Sequence, residues 1–502
     1  MIDKKRLLAL KNVAGGWMGL GTTVLVNFFL TPVVLHYIGD ASNGIWILLT
    51  TFTGYYGLLD FGLRPATARY VSRYEAMKDT AEMNRVVSTS FVFQLMLSLV
   101  MMLVTVLVYV LFDQLFGVGP EWRKTGRLLL LVVGFGTAVT TPLSFFGSVL
   151  EGLQRFSIMG WIQTASSLIR AGLLVFFLQH GYQILAVGAI TIGMNLLSAL
   201  LLTAITFRVA PALSLRWRDV SWETFGILRS FGVLGFLIAI AQPIRFQLDS
   251  LVIAKMLSAE FITLFSIGAR LSIYSIDIVQ MLAQIFTPMA SAAQATGEHD
   301  RQRRLFLMSN RYSAFVALPL GVMFLLIGKT IIRAWVGEKY VPAGYAVLAI
   351  MTIPMTIHLM QAGSPKMLLG MAKHRTLGIA LLIEAAFNLA LSIALVPYFG
   401  LLGVAWGTAI PLAISNIFFL PLHMCSLLKV RLREFLVGAY LYPVLVSIPF
   451  AAALWAADRW IQATRVGLLE TRIGLLETLT IGGLVYLTEL ALYYQFVERR
   501  GR

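Results

Sequence analysis

The sequence predicts an all-α membrane protein. About 14 transmembrane helices form two six-helix repeats, an N-lobe and a C-lobe around a central cavity, followed by two C-terminal helices. Three observations carry this reading. Of 502 residues, 58% are hydrophobic and 13% charged, where a soluble chain is about half apolar and about a quarter charged. The mean hydropathy is +0.80, too high for a protein held in water, so soluble enzymes, DNA-binding folds and disulfide scaffolds are excluded. Finally, the apolar sequence comes in runs of roughly 20 residues, the length that crosses a hydrocarbon core about 30 Å thick.

The elements follow in order. The start, Met1-Ile2-Asp3-Lys4-Lys5-Arg6, is basic. The run after it is too long for a signal-peptide core and lacks a clear A-x-A site, so it reads as a retained first helix. The spans lie near 13–35, 44–63, 88–112, 128–150, 158–178, 184–206, 230–253, 261–287, 306–328, 343–362, 377–396, 401–424, 436–456 and 478–497. An even number puts both termini on one side. Of the 40 Lys and Arg residues, 27 fall on the terminal side, 10 on the other and 3 within spans. That asymmetry predicts that both termini lie in the cytoplasm. It also accounts for the net charge of +16 without nucleic acid, since no basic helix stands apart from the spans. The loops are too short to fold an extramembrane catalytic domain. The single cysteine, Cys425, rules out an internal disulfide and thiolate metal sites.

A repeat underlies the lobes. Gly152-Leu-Gln-Arg-Phe and Gly181-Tyr-Gln-Ile-Leu-Ala-Val-Gly188 recur as Gly370-Met-Ala-Lys-His-Arg and Gly400-Leu-Leu-Gly-Val-Ala-Trp-Gly407, 218 to 219 residues later. Pro65-Ala-Thr-Ala and Pro288-Met-Ala-Ser-Ala agree at 223. The expected divisions are an N-lobe (1–208, helices 1–6), a C-lobe (209–433, helices 7–12) and helices 13–14 with a tail (434–502). Six helices per copy give the copies one orientation, a transporter architecture with substrate between the halves.

The segment Gly44-Ile-Trp, Gly57-Leu-Leu-Asp60-Phe-Gly62-Leu-Arg-Pro-Ala-Thr-Ala-Arg69 and Glu82-Met-Asn-Arg85, with Gly152-Leu-Gln-Arg-Phe, resembles Wzx-type polysaccharide and O-antigen flippases. These are the polysaccharide transporter family of the multidrug/oligosaccharidyl-lipid/polysaccharide exporter superfamily. The motif match covers about 60 residues, the topology most of the chain. The resemblance implies alternating access and export of a polyprenyl-pyrophosphate-linked oligosaccharide, with membrane lipids and a polysaccharide polymerase as partners. Helices 13 and 14, as in lipid II flippases, imply a groove for the polyprenyl tail. The rival readings are an ion-coupled multidrug antiporter, a lipid II flippase and a membrane enzyme. The missing large loop argues against the enzyme.

Charges inside spans cost about 3 kcal/mol or more and face a cavity or a partner. Arg245 and Arg270 lie at matching depths and suit a pyrophosphate clamp, because a guanidinium binds phosphate oxygens as a fork. The alternatives are neutralisation by Asp249 (i+4) and Asp277 (i+7) on the same helix faces, or snorkelling. Arg170 has its repeat counterpart at Asn388, one turn after Glu384. It faces the cavity, contacts its own lobe, or pairs with Glu384 as a gate. Asp249, Asp277 and Glu384 are the candidates for coupling to a proton or sodium gradient, or are salt-bridge partners. Helix 1 carries Asn27 where proton-coupled relatives have an Asp. Asp60 and Arg64, i,i+4 at the cytoplasmic end of helix 2, are an interface pair or a gate. Glu489 has no assignment. Pro32 and Pro243, in the first helix of each copy, are hinges or static kinks.

Gln280 and Gln284 share a face and suit a saccharide, as do Gln94, Gln163, Gln242, Gln247 and Gln361; interhelical hydrogen bonding reads equally well. Trp46, Trp161, Trp335, Trp455 and Trp460 near span ends read as interface anchors. No nucleotide-binding, metalloprotease or serine-nucleophile signature occurs, so neither a cofactor, a metal nor a catalytic residue is expected.

Overall fold

A computed structural model describes the backbone of residues 4–371, 373, 375–464 and 468–495; side chains are described for the same residues except 4–14, 17, 230–246, 461–464 and 468–470. All regular structure among the described residues is helical, with no strand. They divide into two compact units, Met1–Thr263 and Leu264–Arg502.

The first unit contains α1 (Lys4–Gly54), α2 (Leu63–Met77), α3 (Thr80–Val110), α4 (Phe112–Leu115), α5 (Arg123–Ser144), α6 (Phe146–Gly152), α7 (Phe156–Gln179), α8 (Ile184–Val209) and α9 (Trp222–Met256). Helix α1 is two helices in sequence. Gly39 leaves helical geometry at φ 74°, ψ 173°, where the sequence separates spans 13–35 and 44–63. Pro32 lies within α1, and helical dihedrals continue through it. The break is therefore at the glycine, which adopts positive φ without a Cβ clash.

Helix α3 shows how this chain inverts a soluble core. Asp79 caps it by accepting the Glu82 amide at 3.0 Å. Its outward face is Leu99, Leu103, Leu107 and Val110, all largely exposed, while Gln94, Ser98, Met101 and Thr105 are buried. A lipid-facing helix turns its apolar side out and satisfies its polar groups inside. Its N-terminal half also holds the loop 210–221. Asn84 accepts the Ser214 amide at 3.0 Å and donates to the Ala212 carbonyl at 3.3 Å. Ser88 accepts from the Arg216 amide and Thr89 from the Ser221 amide, at 3.2 and 3.1 Å. Phe93 stacks on Phe225 of α9 at 3.6 Å.

The second unit contains most of α10 (Ala259–Ala283), then α11 (Phe286–Ala295), α12 (His299–Val336), α13 (Val341–Met360), α14 (Gly363–Gly370), α15 (Arg375–Phe399), α16 (Leu401–Ile414), α17 (Leu420–Leu428), α18 (Leu432–Thr464) and α19 (Leu468–Tyr493). A π-helical turn, Ser415–Phe419, joins α16 to α17. Helices α18 and α19 pack on each other and on α12. Arg311 donates to the Gly438 carbonyl at 2.8 Å and to the Tyr493 hydroxyl at 3.2 Å. Tyr486 donates to the Phe315 carbonyl, and Thr330 to Asp458 at 2.9 Å.

The repeat reappears in packing. Helix α6 sits on α2, and a Cβ on Gly152 would stand 2.6 Å from the Ala68 carbonyl oxygen. Helix α14 sits on α11, and a Cβ on Gly370 would stand 2.5 Å from the Thr287 carbonyl oxygen. Each copy thus uses a glycine for the same close helix contact. Helix α9 heads the second copy in sequence. It packs on α1, α2 and α3, with Leu228 in a cluster with Leu63, Ala66 and Val86, so the compact units divide after residue 263.

Twelve helices among the described residues are long and apolar enough to cross a membrane. The sequence count of fourteen separates 13–35 from 44–63, which are counted as one run here, and includes 230–253, most of whose side chains lie outside the described residues. Two of the five tryptophans depart from the expected interfacial position. Trp335 is buried, and Trp46 packs against the cluster of Leu30, Val34, Leu174, Leu178 and Val187. Trp161, Trp455 and Trp460 are exposed.

Candidate functional site: a polar groove in the first unit

Two cavities of about 350 and 290 Å³ lie within the first unit. Both are lined by Thr140, Ser144 and Asn195, so they form one groove between α1, α5, α7 and α8. Hydroxyl and amide side chains such as Thr53, Thr140, Ser144, Gln163, Asn195 and Ser198 alternate with apolar ones along its wall.

One end is built on a chain break. The 3₁₀ turn Tyr55–Asp60 ends at Phe61 (φ 48°) and Gly62 (φ 76°), and α2 starts at Leu63. Asp60 and Arg64 are therefore not on one continuous helix, as the i,i+4 spacing suggests; the left-handed pair between them interrupts it. Asp60 instead accepts the Arg64 backbone amide at 3.1 Å and lies 3.9 Å from its Nε. Gln94, fully buried, donates to the other carboxylate oxygen. Arg64 donates onward to the Thr141 carbonyl at 3.2 Å and the Ser144 hydroxyl at 2.9 Å. Pro142 removes the amide that would bond the Ala138 carbonyl, and Ser98 supplies the missing donor at 2.7 Å. Arg64 lies beyond the span. Desolvation lowers its pKa while Asp60 opposes the change.

The other end is the crossing of α1 and α7. Gly15 and Gly19 of α1 meet Gly160 of α7 so closely that a Cβ at Gly160 would overlap the Gly15 carbonyl. Small residues four apart let helix backbones approach in this way. The same stripe continues as Thr23 and Asn27. Gln163 donates to the Thr23 hydroxyl at 3.2 Å, and the Thr23 and Ser167 hydroxyls are 3.1 Å apart. Arg170 donates from Nη2 to the Asn27 side-chain oxygen at 2.9 Å. Its Nε is buried without a partner.

The structure thus brings Arg170, Asp60 and Arg64 into one groove. Thr140, Ser144 and Asn195 line it with them, while Asn27 and Gln94 hold Arg170 and Asp60 from behind. Of these, sequence reasoning gave only Gln94 a saccharide role; it missed Asn27, Thr140, Ser144 and Asn195, although the four-residue spacing Gly15, Gly19, Thr23, Asn27 was a readable signal.

The other candidates lie elsewhere. Arg270, Asp277 and Gln280 are half-buried on α10, and Gln284 is exposed just past its end. Asp249 is buried on α9, and Glu384 on α15. None of these lines the groove. Arg170 belongs to the first unit and Glu384 to the second. Arg245 and Pro243 lie outside the described side chains. Among the described residues, no group of three or more His, Cys, Asp and Glu side chains is placed to hold a metal ion.

The fold and the groove together define the class: a multi-pass membrane protein with a partly polar groove inside its first helical unit. A family model described as Polysaccharide biosynthesis protein matches residues 46–344, and the chain belongs to that family. It is similar to an uncharacterized membrane protein, EpsK, of Bacillus subtilis (strain 168), with 20% identity over 88% of this chain and 86% of the relative. It is also similar to a putative O-antigen transporter of Shigella flexneri, with 21% identity over 83% and 98%. Two solved structures share the fold. The lipid II flippase MurJ, inward closed, matches at TM-score 0.69 and 16% identity, covering 97% of this chain and 99% of its own. An inward-facing multidrug resistance MATE family transporter of the MOP superfamily matches at 0.66 and 16%, covering 82% and 95%.

Proposed function

We propose that the chain is a flippase of the bacterial inner membrane. It moves a polyprenyl-pyrophosphate-linked oligosaccharide across by alternating access, for surface polysaccharide synthesis. The carrying observation is the groove. Its hydroxyl and amide lining suits saccharide hydroxyls, and a guanidinium at span depth suits an anionic headgroup. A groove for cationic drugs calls for an open carboxylate, whereas the lining carboxylate Asp60 is already held by Gln94 and Arg64, which favours the saccharide over the multidrug antiporter. The sugar headgroup occupies the groove while the polyprenyl tail stays in lipid. Energy comes from a proton or sodium gradient, and a polysaccharide polymerase receives the product. No catalytic step is assigned to the chain.

The test is a sidedness assay. Purified protein is reconstituted with fluorescent undecaprenyl-pyrophosphate oligosaccharide, and an impermeant glycosidase reports the outward-facing fraction. Protein should raise that fraction well above empty liposomes. No rise, together with movement of cationic dyes against an imposed gradient, overturns the reading in favour of the antiporter. Flipping of lipid II alone selects the lipid II reading.

A further inference from the structure

We infer that the loop 210–221 is a fixed strap on the membrane surface, whose exposed tryptophans and arginines bind the headgroups of anionic phospholipids. The loop joins the two sequence copies, and none of its residues lines the groove. Asn84, Ser88 and Thr89 of α3 each accept one loop amide. Each also donates to one loop carbonyl, that of Ala212, Ser214 and Asp219 respectively. Leu213 is buried in a cluster with Val87, Phe145 and Phe146. The 3₁₀ turn Trp217–Asp219 closes through the Asp219 and Val220 amides. A loop fixed in this way binds with little further ordering cost.

The surface it presents is aromatic and basic. Trp217 is 77% exposed, and Trp222, at the start of α9, 74%. Arg216 and Arg218 flank Trp217, are exposed, and pair with no carboxylate among the described residues. Segment 208–229 carries Arg208, Arg216, Arg218 and Arg229 against Asp219 and Glu223, so it is net basic. Its depth fits the bilayer surface. The lipid-facing side of α3 runs to Val110, and about 20 residues cross the hydrocarbon, which puts the other boundary near Phe91. At about 1.5 Å per residue, Asn84 to Thr89 sit about 3–11 Å beyond it, within reach of a headgroup layer about 5–8 Å thick. Trp222 meets Phe93 edge-on at 5.4 Å, next to that boundary. Tryptophan settles in this layer, and guanidinium forks bind phosphate oxygens. An uncharged headgroup satisfies the tryptophans alone, whereas the arginines call for a net anionic one. A phospholipid reaches the strap without leaving its leaflet, because the strap lies along the lipid-facing helix α3, and this favours lipid over a protein partner.

The experiment is fluorescence quenching of the full-length protein in mixed bilayers of phosphatidylglycerol and phosphatidylcholine, with one lipid or the other brominated on its acyl chains near the headgroup. Subtracting the Trp217→Phe/Trp222→Phe variant from the wild type isolates the strap signal from the remaining tryptophans. Phosphatidylglycerol should be preferred at the strap by about fivefold in apparent affinity for each arginine. Arg216→Gln/Arg218→Gln, folded by size exclusion, should bring the two lipids to parity. Arg216→Lys/Arg218→Lys should keep most of the preference, and high salt should weaken it. Equal quenching by both lipids in the wild type, or a preference untouched by Arg216→Gln/Arg218→Gln, overturns the inference. No quenching of the strap signal by either lipid overturns it as well. Slower maleimide labelling of Arg216→Cys, on a Cys425→Ser background, in native membranes than in these bilayers then assigns the surface to a protein partner. None of these outcomes depends on what the groove carries, so the strap and the flippase reading stand or fall separately.

Discussion

Gln94 illustrates how much a single residue settles here. It is fully buried on α3 and its amide donates to Asp60, which also receives the Arg64 amide. Replacing it with leucine keeps the volume roughly and leaves a carboxylate oxygen without its donor. Loss of one partner in a buried polar pair costs about 1–3 kcal/mol. Gln94→Leu should therefore lower the melting temperature in detergent, and Gln94→Glu should lower it further by facing Asp60 with a second carboxylate. An unchanged melting temperature in both would show that Asp60 is held by Arg64 alone. This residue also marks what the sequence tells and withholds. Polar and charged groups stand out in an apolar span, so Arg170, Asp60, Arg64 and Gln94 are legible as a set. Their partners are not. Asn27 and Arg170 are 143 residues apart, and only the packing of α1 on α7 makes them neighbours. Arg270 and Gln284 stood out equally well, yet they line no part of the groove.

At the scale of the element, the groove depends on the approach of α1 and α7. Gly160 allows it, because any Cβ there meets the Gly15 backbone, which cannot rotate away. Overpacking costs about 1–3 kcal/mol and sometimes more. Gly160→Ala should lower the melting temperature and separate Thr23 and Asn27 from Ser167 and Arg170, reducing flipping. Gly172, on the same helix with open space around its Cβ position, is the control: Gly172→Ala should match the wild type or exceed it, since alanine favours a helix. Equal effects from the two would place the cost in helix propensity rather than in the crossing. The apolar runs made the helices readable, whereas the crossing needed the four-residue stripe to be noticed. Helix α19 offers a second case. Tyr486 donates to the Phe315 carbonyl, a contact expected to stabilise its docking on α12 by about 1 kcal/mol. Tyr486→Phe should leave the fold intact and speed proteolysis at the end of α19, a change read on a gel.

For the whole molecule, the decisive quantity is the distribution of charge among loops. The 27 to 10 excess of Lys and Arg predicts the loops 78–79 and 210–221 in the cytoplasm and the loop 180–183 outside, by the tendency of short basic loops to stay behind during insertion. The chain is well suited to a direct measurement, because its single cysteine is buried in α17. With Cys425→Ser as background, Lys78→Cys, Tyr182→Cys and Arg216→Cys each place one thiol at an exposed position. An impermeant maleimide applied to intact spheroplasts should label Tyr182→Cys at once, and the other two only after the membrane is opened. The reverse pattern would invert the chain, and would require the substrate to enter the groove from the opposite side. Labelling of Arg216→Cys carries further weight. Its loop is tied along α3 by Asn84, Ser88 and Thr89, so an exposed side chain there sits on a fixed backbone. A slow reaction at this site after permeabilisation would therefore report a covering partner rather than a disordered loop.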